Sequence, residues 1–194
     1  GTGLNLPFYQ QVDTLYALEP NPDIYRLAAQ RVHEAPFDVQ HIQASAEKLP
    51  FACASLDHMV STWTLCSIAN LEQALAEIFR VLKPGGALHL VEHVLNSDSR
   101  KIQYLQQALT PVQKRIADGC HLNRNIERAL KDAGLELAEC RYFDAEGIPK
   151  IAQRMLLARW PFAGTVPFPQ QASWHLPLCA PRGLLPWRCA GTAP

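Results

Sequence analysis

Short apolar runs that read as buried strands alternate along this chain with segments of helical periodicity, and that order permits few folds. Thr14–Leu18 (TLYAL) ends at Glu19-Pro20, where proline withholds the next ladder hydrogen bond. Asn21-Pro22-Asp23 then offers a cap, a first-turn proline and an early acid, so a helix is expected from there to about Ala35. Asp38–Gln43 reads as a second strand and Leu56–Trp63 as a third. Asn70–Leu82 reads as a helix with Leu71, Leu75, Ile78 and Leu82 on one face. Lys83-Pro84-Gly85-Gly86 stops that helix and turns the chain into another strand, Ala87–Val94. Ile102, Leu105, Leu109, Val112 and Ile116 recur at helical spacing across Ser99–Ile116, and Asn123–Ala133 is a shorter helix closed by Gly134. Two strand-like runs, Leu135–Phe143 and Ile151–Trp160, end the series.

Alternation up to this last pair predicts an α/β domain over residues 1–160: a Rossmann-like, mostly parallel sheet with an antiparallel edge strand. Residues 161–194 differ, holding seven of the fifteen prolines and no Asp or Glu. They are expected to form an irregular appendage without a core of their own. Eighteen basic residues balance eighteen acidic ones without a basic run, which disfavours nucleic acid as a partner. No apolar stretch approaches the roughly 20 residues that span a bilayer, and the default compartment is cytoplasmic. The cysteines (Cys53, Cys66, Cys120, Cys140, Cys179 and Cys189) lack metal-ligand spacing, so they are expected to be reduced and mostly buried, and no metal is expected.

Gly1-Thr2-Gly3-Leu4-Asn5 reads as the back half of a nucleotide-binding glycine turn, with the strand that should lead into it absent. Glu19 follows Gly3 by sixteen residues, at a strand end, where two carboxylate oxygens can accept both hydroxyls of a ribose.

Ala46-Glu47-Lys48-Leu49-Pro50-Phe51, then Leu56-Asp57-His58-Met59-Val60-Ser61, then Phe79-Arg80-Val81-Leu82-Lys83-Pro84-Gly85-Gly86-Ala87-Leu88 follow that acid in order. The series resembles the class I S-adenosylmethionine-dependent methyltransferases, particularly the small-molecule branch that includes ubiquinone-biosynthesis methyltransferases. Thr64-Leu65-Cys66-Ser67, Glu92-His93-Val94 and Asp118-Gly119-Cys120-His121-Leu122 are similar to methyltransferase-like proteins that methylate thiols. The resemblance covers about residues 1–160. It implies a seven-stranded sheet whose absent first strand would lie centrally, between the strand ending at Glu19 and the one ending near Ser61. It also implies S-adenosyl-L-methionine as cofactor. Gly1 and Gly3 would face its methionine portion, with Asn5 beside them, and Glu19 its ribose, with Pro20 adjoining. Ser45, Ala46 and Glu47 would border the adenine, and Thr62 to Leu65 would line the floor near the sulfonium. Relatives often place Asp where Ser45 stands.

Methyl transfer from a sulfonium requires the nucleophile about 3 Å away and in line, water excluded, and a base for a protonated nucleophile. His93, Asp118 and His121 lie on segments expected at the ligand-binding edge of the sheet and are the candidates for substrate-side catalysis. Cys66 and Cys120 are expected to pack as small apolar groups. The resulting expectation is methyl transfer to a small apolar molecule, a thiol first and a quinone or lipid second, with the Ser99–Ile116 helix as part of a lid. The alternative is a noncatalytic fragment that depends on a strand-donating partner or a second copy. A nicotinamide-dependent reductase fits less well, for no Tyr-x-x-x-Lys pair is present.

Overall fold

The computed structural model describes residues 1–133 and 139–161. The expected cap Gly134, the first part of the predicted strand Leu135–Phe143, the tail from residue 162 and its Cys179 and Cys189 lie outside the described residues. The chain divides into two compact units, Gly1–Pro50 and Phe51–Pro194.

The first unit contains a 3-10 turn at Leu6–Phe8, strand β1 (Thr14–Leu18), helices α1 (Pro22–Arg26) and α2 (Ala29–His33), and strand β2 (Asp38–Ile42). The strands pair in parallel, from Thr14 opposite Asp38 to Leu18 opposite Ile42. Asn21 caps α1 as its sequence predicts, its side-chain oxygen accepting the Asp23 amide hydrogen at 2.9 Å. The single helix expected from Asn21 to Ala35 is two short ones. Tight i→i−3 bonds from the Leu27 and Ala28 amides to the Ile24 and Tyr25 carbonyls break it.

The second unit contains β3 (Leu56–Thr62), α3 (Leu71–Val81), β4 (Leu82–His93), α4 (Arg100–Ile116), α5 (Ile126–Asp132), β5 (Glu139–Asp144) and β6 (Arg154–Pro161). Its sheet has the order β3-β4-β6-β5. β3 and β4 are parallel, and β6 is antiparallel to both β4 and β5. Three strands therefore run one way. The opposing strand lies one place in from the edge, and β5 takes the edge itself. Burial explains the order: β6 inserts Met155, Leu156, Ala158 and Trp160 into the core, whereas β5 is largely exposed. Leu71, Leu75, Ile78 and Leu82 are buried as the helical spacing of α3 predicts, and Phe79 meets Trp160 edge-on, with ring centroids 4.7 Å apart.

Lys83-Pro84-Gly85-Gly86 forms an excursion inside the β3–β4 ladder. Leu56 pairs with Leu82 and His58 already with Ala87, so the four intervening residues of β4 bulge opposite Asp57 alone. The Lys83 ammonium donates to both Asp57 carboxylate oxygens at 2.9 Å, and this contact lowers the Asp57 carboxyl below its usual range. Gly86 faces the Asp57 carbonyl so closely that a Cβ there would stand 2.5 Å from that oxygen and 2.9 Å from the Lys83 carbonyl oxygen. The Arg80 guanidinium closes the other flank, donating to both Glu77 oxygens and to the Phe51 carbonyl.

Glu92, near the carboxyl end of β4, has no solvent exposure. One carboxylate oxygen accepts the Ser61 hydroxyl at 2.6 Å and the Thr64 and Leu65 amides at 3.0 Å each; the other accepts the Cys66 amide at 3.4 Å. The chain leaving β3 is thus wrapped around one carboxylate, and Trp63 enters the wrap at φ +56°, a costly conformation for a bulky residue.

Two stability measurements check this account. Gly86→Ala should lose about 2–3 kcal/mol in urea unfolding, because backbone rather than a flexible side chain must move. Glu92→Gln turns a donor toward the wrapped amide hydrogens, so a loss of about 2–4 kcal/mol is expected in the same assay.

Candidate active site

In the first unit the glycine segment and the acid at the end of β1 are neighbours. Glu19 Oε2 lies 2.6 Å from the Gly1 nitrogen, and Oε1 accepts the Asn21 amide hydrogen at 2.8 Å. Two contacts hold this pair. His41 Nε2 lies 3.0 Å from the Glu19 carbonyl oxygen while its ring stacks on Tyr25 with centroids 3.6 Å apart. Arg31 donates to the Thr2 carbonyl at 3.0 Å. Gly3 has φ +74°, and a Cβ there would stand 3.1 Å from both Ala28 Cβ and Leu6 Cδ1, so a side chain would be strained and would press on both neighbours. Asn5 opens the 3-10 turn, its carbonyl accepting the Phe8 amide hydrogen at 3.0 Å, and the Pro20 carbonyl accepts from Gln43 at 3.3 Å.

After β2, Ser45 and Glu47 close on each other around Ala46. The Ser45 hydroxyl donates to Glu47 Oε2 at 3.1 Å and accepts the Glu47 amide hydrogen at 3.2 Å. The donor set of this unit fits an adenosyl ligand. Glu19 uses one lone pair per oxygen and retains others for a ribose diol, and the Gly3 backbone is bare of side chain.

In the second unit the predicted residues His93 and His121, with Thr62 and Leu65, gather at the carboxyl ends of β3 and β4. Thr62 ends β3, its carbonyl accepting the Thr64 hydroxyl at 3.1 Å. Leu65 is buried, its amide bound to Glu92 and its carbonyl to the Arg124 guanidinium at 2.6 Å. His121 Nδ1 lies 3.1 Å from the Cys66 carbonyl oxygen, which can only accept, so Nδ1 carries the hydrogen and Nε2 faces Arg124 at 3.5 Å. Burial and the Arg124 charge hold the His121 ring below the usual imidazole range. His93 is buried, with Nε2 only 2.9 Å from the Cys120 sulfur and Nδ1 without a partner. Asp118 is exposed at φ +45° and makes no hydrogen bond to a described residue.

Cys66 and Cys120 are reduced and buried as expected, and they also meet each other, with sulfurs 4.0 Å apart. Their contact splits their acidities: Cys66 is pushed up by that contact and by burial, and Cys120 is pulled down to about 4, first by Cys66 and then by His93 against the cost of burial. Cys140 is free but exposed.

Sequence reasoning passed over Glu92 and Arg124. Arg124 donates to the Leu65 carbonyl at 2.6 Å and the Ile68 carbonyl at 2.7 Å, fixing the loop that Glu92 wraps. The available signal was a carboxylate inside the apolar run Leu90-Val91-Glu92-His93-Val94, which must find donors if it is buried.

The methyltransferase domain family matches residues 1–90. The human thiol S-methyltransferase TMT1A is 32% identical over 148 residues, covering 75% of this chain and 61% of that protein. Mouse thiol S-methyltransferase TMT1B is 36% identical over 140 residues, covering 66% and 56%. The chain thus spans about six-tenths of the length of these curated relatives. The ubiquinone/menaquinone biosynthesis C-methyltransferase UbiE of Klebsiella pneumoniae is 42% identical over 55 residues, 28% of this chain and 22% of that protein. Among solved structures, a SAM-dependent methyltransferase of Methanosarcina mazei shares the fold at TM-score 0.60 and 19% identity, covering 76% of this chain and 81% of that one. No helix of the described residues is long and apolar enough to cross a membrane. On these matches the chain belongs to the class I S-adenosylmethionine-dependent methyltransferases.

Proposed function

We propose that this protein transfers the methyl group of S-adenosylmethionine to the thiol of a small apolar acceptor. The observation that carries the reading is the identity shared with thiol S-methyltransferases over three-quarters of the chain. When bound, the cofactor supplies a methyl group already activated by its positive sulfur. The chain therefore has to bind, orient and take up one proton.

Gly1, Gly3 and Asn5 present backbone toward the methionine portion, Glu19 accepts the ribose hydroxyls with Pro20 shaping the strand end, and Ser45, Ala46 and Glu47 border the adenine. Thr62 and Leu65 belong to the wrapped loop that Glu92 and Arg124 hold rigid. His121 is the proton acceptor. Its Nδ1–H is committed to the Cys66 carbonyl, so a thiol proton would reach Nε2 in place of the Arg124 contact at 3.5 Å. The acceptor's sulfur pair would form the new bond to the methyl carbon as that carbon's bond to the sulfonium sulfur breaks, leaving a neutral thioether, and the thiol proton would pass to His121. His93 is given no proton step because its Nε2 faces Cys120. Asp118, exposed and unpaired among the described residues, is given none either. An apolar acceptor is favoured by α4, which presents Leu105, Leu109, Val112 and Ile116 to solvent, with Ile116 75% exposed. These side chains form the underside of the expected lid.

Two variants test the halves separately. Glu19→Ala should weaken S-adenosylhomocysteine binding about 10- to 100-fold by titration calorimetry, since two charge-assisted hydrogen bonds are lost. Binding at wild-type strength would refute the cofactor assignment. His121→Asn should lower kcat on an alkyl thiol about 100-fold while leaving S-adenosylhomocysteine affinity unchanged. A hydroquinone methylated faster than any thiol by the wild-type protein would refute the acceptor assignment.

A further inference from the structure

We propose that Cys66, His93 and Cys120 form a binding site for one zinc ion. The inference goes beyond the methyl-transfer reading, which gives none of the three a step. The two sulfurs and His93 Nε2 all lie within 4.8 Å of one another, and all three residues are buried. The individual separations are 2.9 Å for Nε2 to the Cys120 sulfur and 4.0 Å between the sulfurs. A tetrahedral zinc, with bonds of about 2.3 Å to sulfur and 2.0–2.1 Å to nitrogen, sets such ligand atoms about 3.6–3.8 Å apart. Shifts of under about 1 Å bring the three to that spacing.

The donor set selects the ion. Two thiolates and one imidazole suit zinc and reject magnesium, calcium and manganese, which take oxygen ligands. Two thiolates also neutralise a dication, which relieves the cost of burying it. The three ligands come from separate parts of the chain: the wrapped loop after β3, the last residue of β4 and the turn after α4. Each is held before any ion arrives. Cys66 is fixed by its amide on Glu92 and its carbonyl under His121, Cys120 by its amide on the Ala117 carbonyl at 2.9 Å, and His93 by the β4–β6 ladder and the edge of Trp63. Such pre-placement is what separates a metal site from a chance cluster. Three protein ligands leave a fourth coordination position for water or an exogenous sulfur.

The test uses the whole protein, purified under reducing conditions, stripped by a chelator and loaded with cobalt(II) alone, then zinc alone. One cobalt per chain with a thiolate-to-cobalt charge-transfer band is expected, displaced by one equivalent of zinc. X-ray absorption of the zinc form should then show two sulfur and at least one nitrogen ligand, a result that needs no variant. Cys66→Ser and Cys120→Ser should each weaken zinc binding at least about 100-fold with the circular dichroism spectrum unchanged. A zinc shell without sulfur, a band that survives the double variant, or reduced protein that takes up no cobalt would overturn the proposal. So would a Cys66–Cys120 disulfide that forms equally fast with and without zinc.

Discussion

The second unit depends on a carboxylate in an apolar strand. Glu92 is fully buried, and a buried carboxylate without partners is among the costliest groups a fold can contain. Its partners here are a hydroxyl and three amides from Ser61, Thr64, Leu65 and Cys66. The strand end that supplies those donors cannot continue as a strand, because its amides turn toward one point. That turn is bought at Trp63 in backbone strain and is locked from outside by Arg124 on the Leu65 and Ile68 carbonyls. One acid and one base therefore set the path of the loop on which Thr62, Leu65 and Cys66 stand.

Much of the scaffold is legible in the sequence because burial there follows periodicity. Leu71, Leu75, Ile78 and Leu82 are predicted as one helix face and are buried as one. Lys83-Pro84-Gly85-Gly86 is read as a turn, and it is one in effect, although it interrupts a strand ladder instead of preceding it. Helix α4 shows where periodicity fails. Its apolar residues Leu105, Leu109 and Val112 are exposed, and its buried positions are Gln106 and Thr110. The reason is a demand for hydrogen bonds beyond β4. Gln106 accepts the Asn96 amide hydrogen and donates to the Val94 and Ile151 carbonyls, which a leucine could not do. Satisfying three backbone groups outweighed covering three apolar side chains.

The site divides along the same line. Glu19 and the glycine segment could be singled out by spacing, because a strand-end acid after a glycine turn is a local pattern. The Cys66–His93–Cys120 group could not, since successive members are 27 residues apart and meet only after β3, β4 and α4 have packed. Spacing rules for metal sites describe ligands that share a turn or a helix face, and they do not apply to ligands brought together by tertiary structure.

The two histidines near that group show how position in the fold decides chemistry between like residues. His93 ends β4 and is buried, so its Nε2 can meet only a neighbour already inside, the Cys120 sulfur. His121, one residue past that cysteine, lies in a turn whose backbone amide and ring both point to the Cys66 carbonyl at 2.9 and 3.1 Å. That double contact fixes the tautomer and leaves the second nitrogen basic, with the Arg124 charge discouraging its protonation in the resting state. A base must be neutral before it acts and oriented when it does. Of the two rings, His121 lies at the half-buried margin of the loop with Nε2 against Arg124, while His93 is buried with Nε2 on the Cys120 sulfur and Nδ1 without a partner.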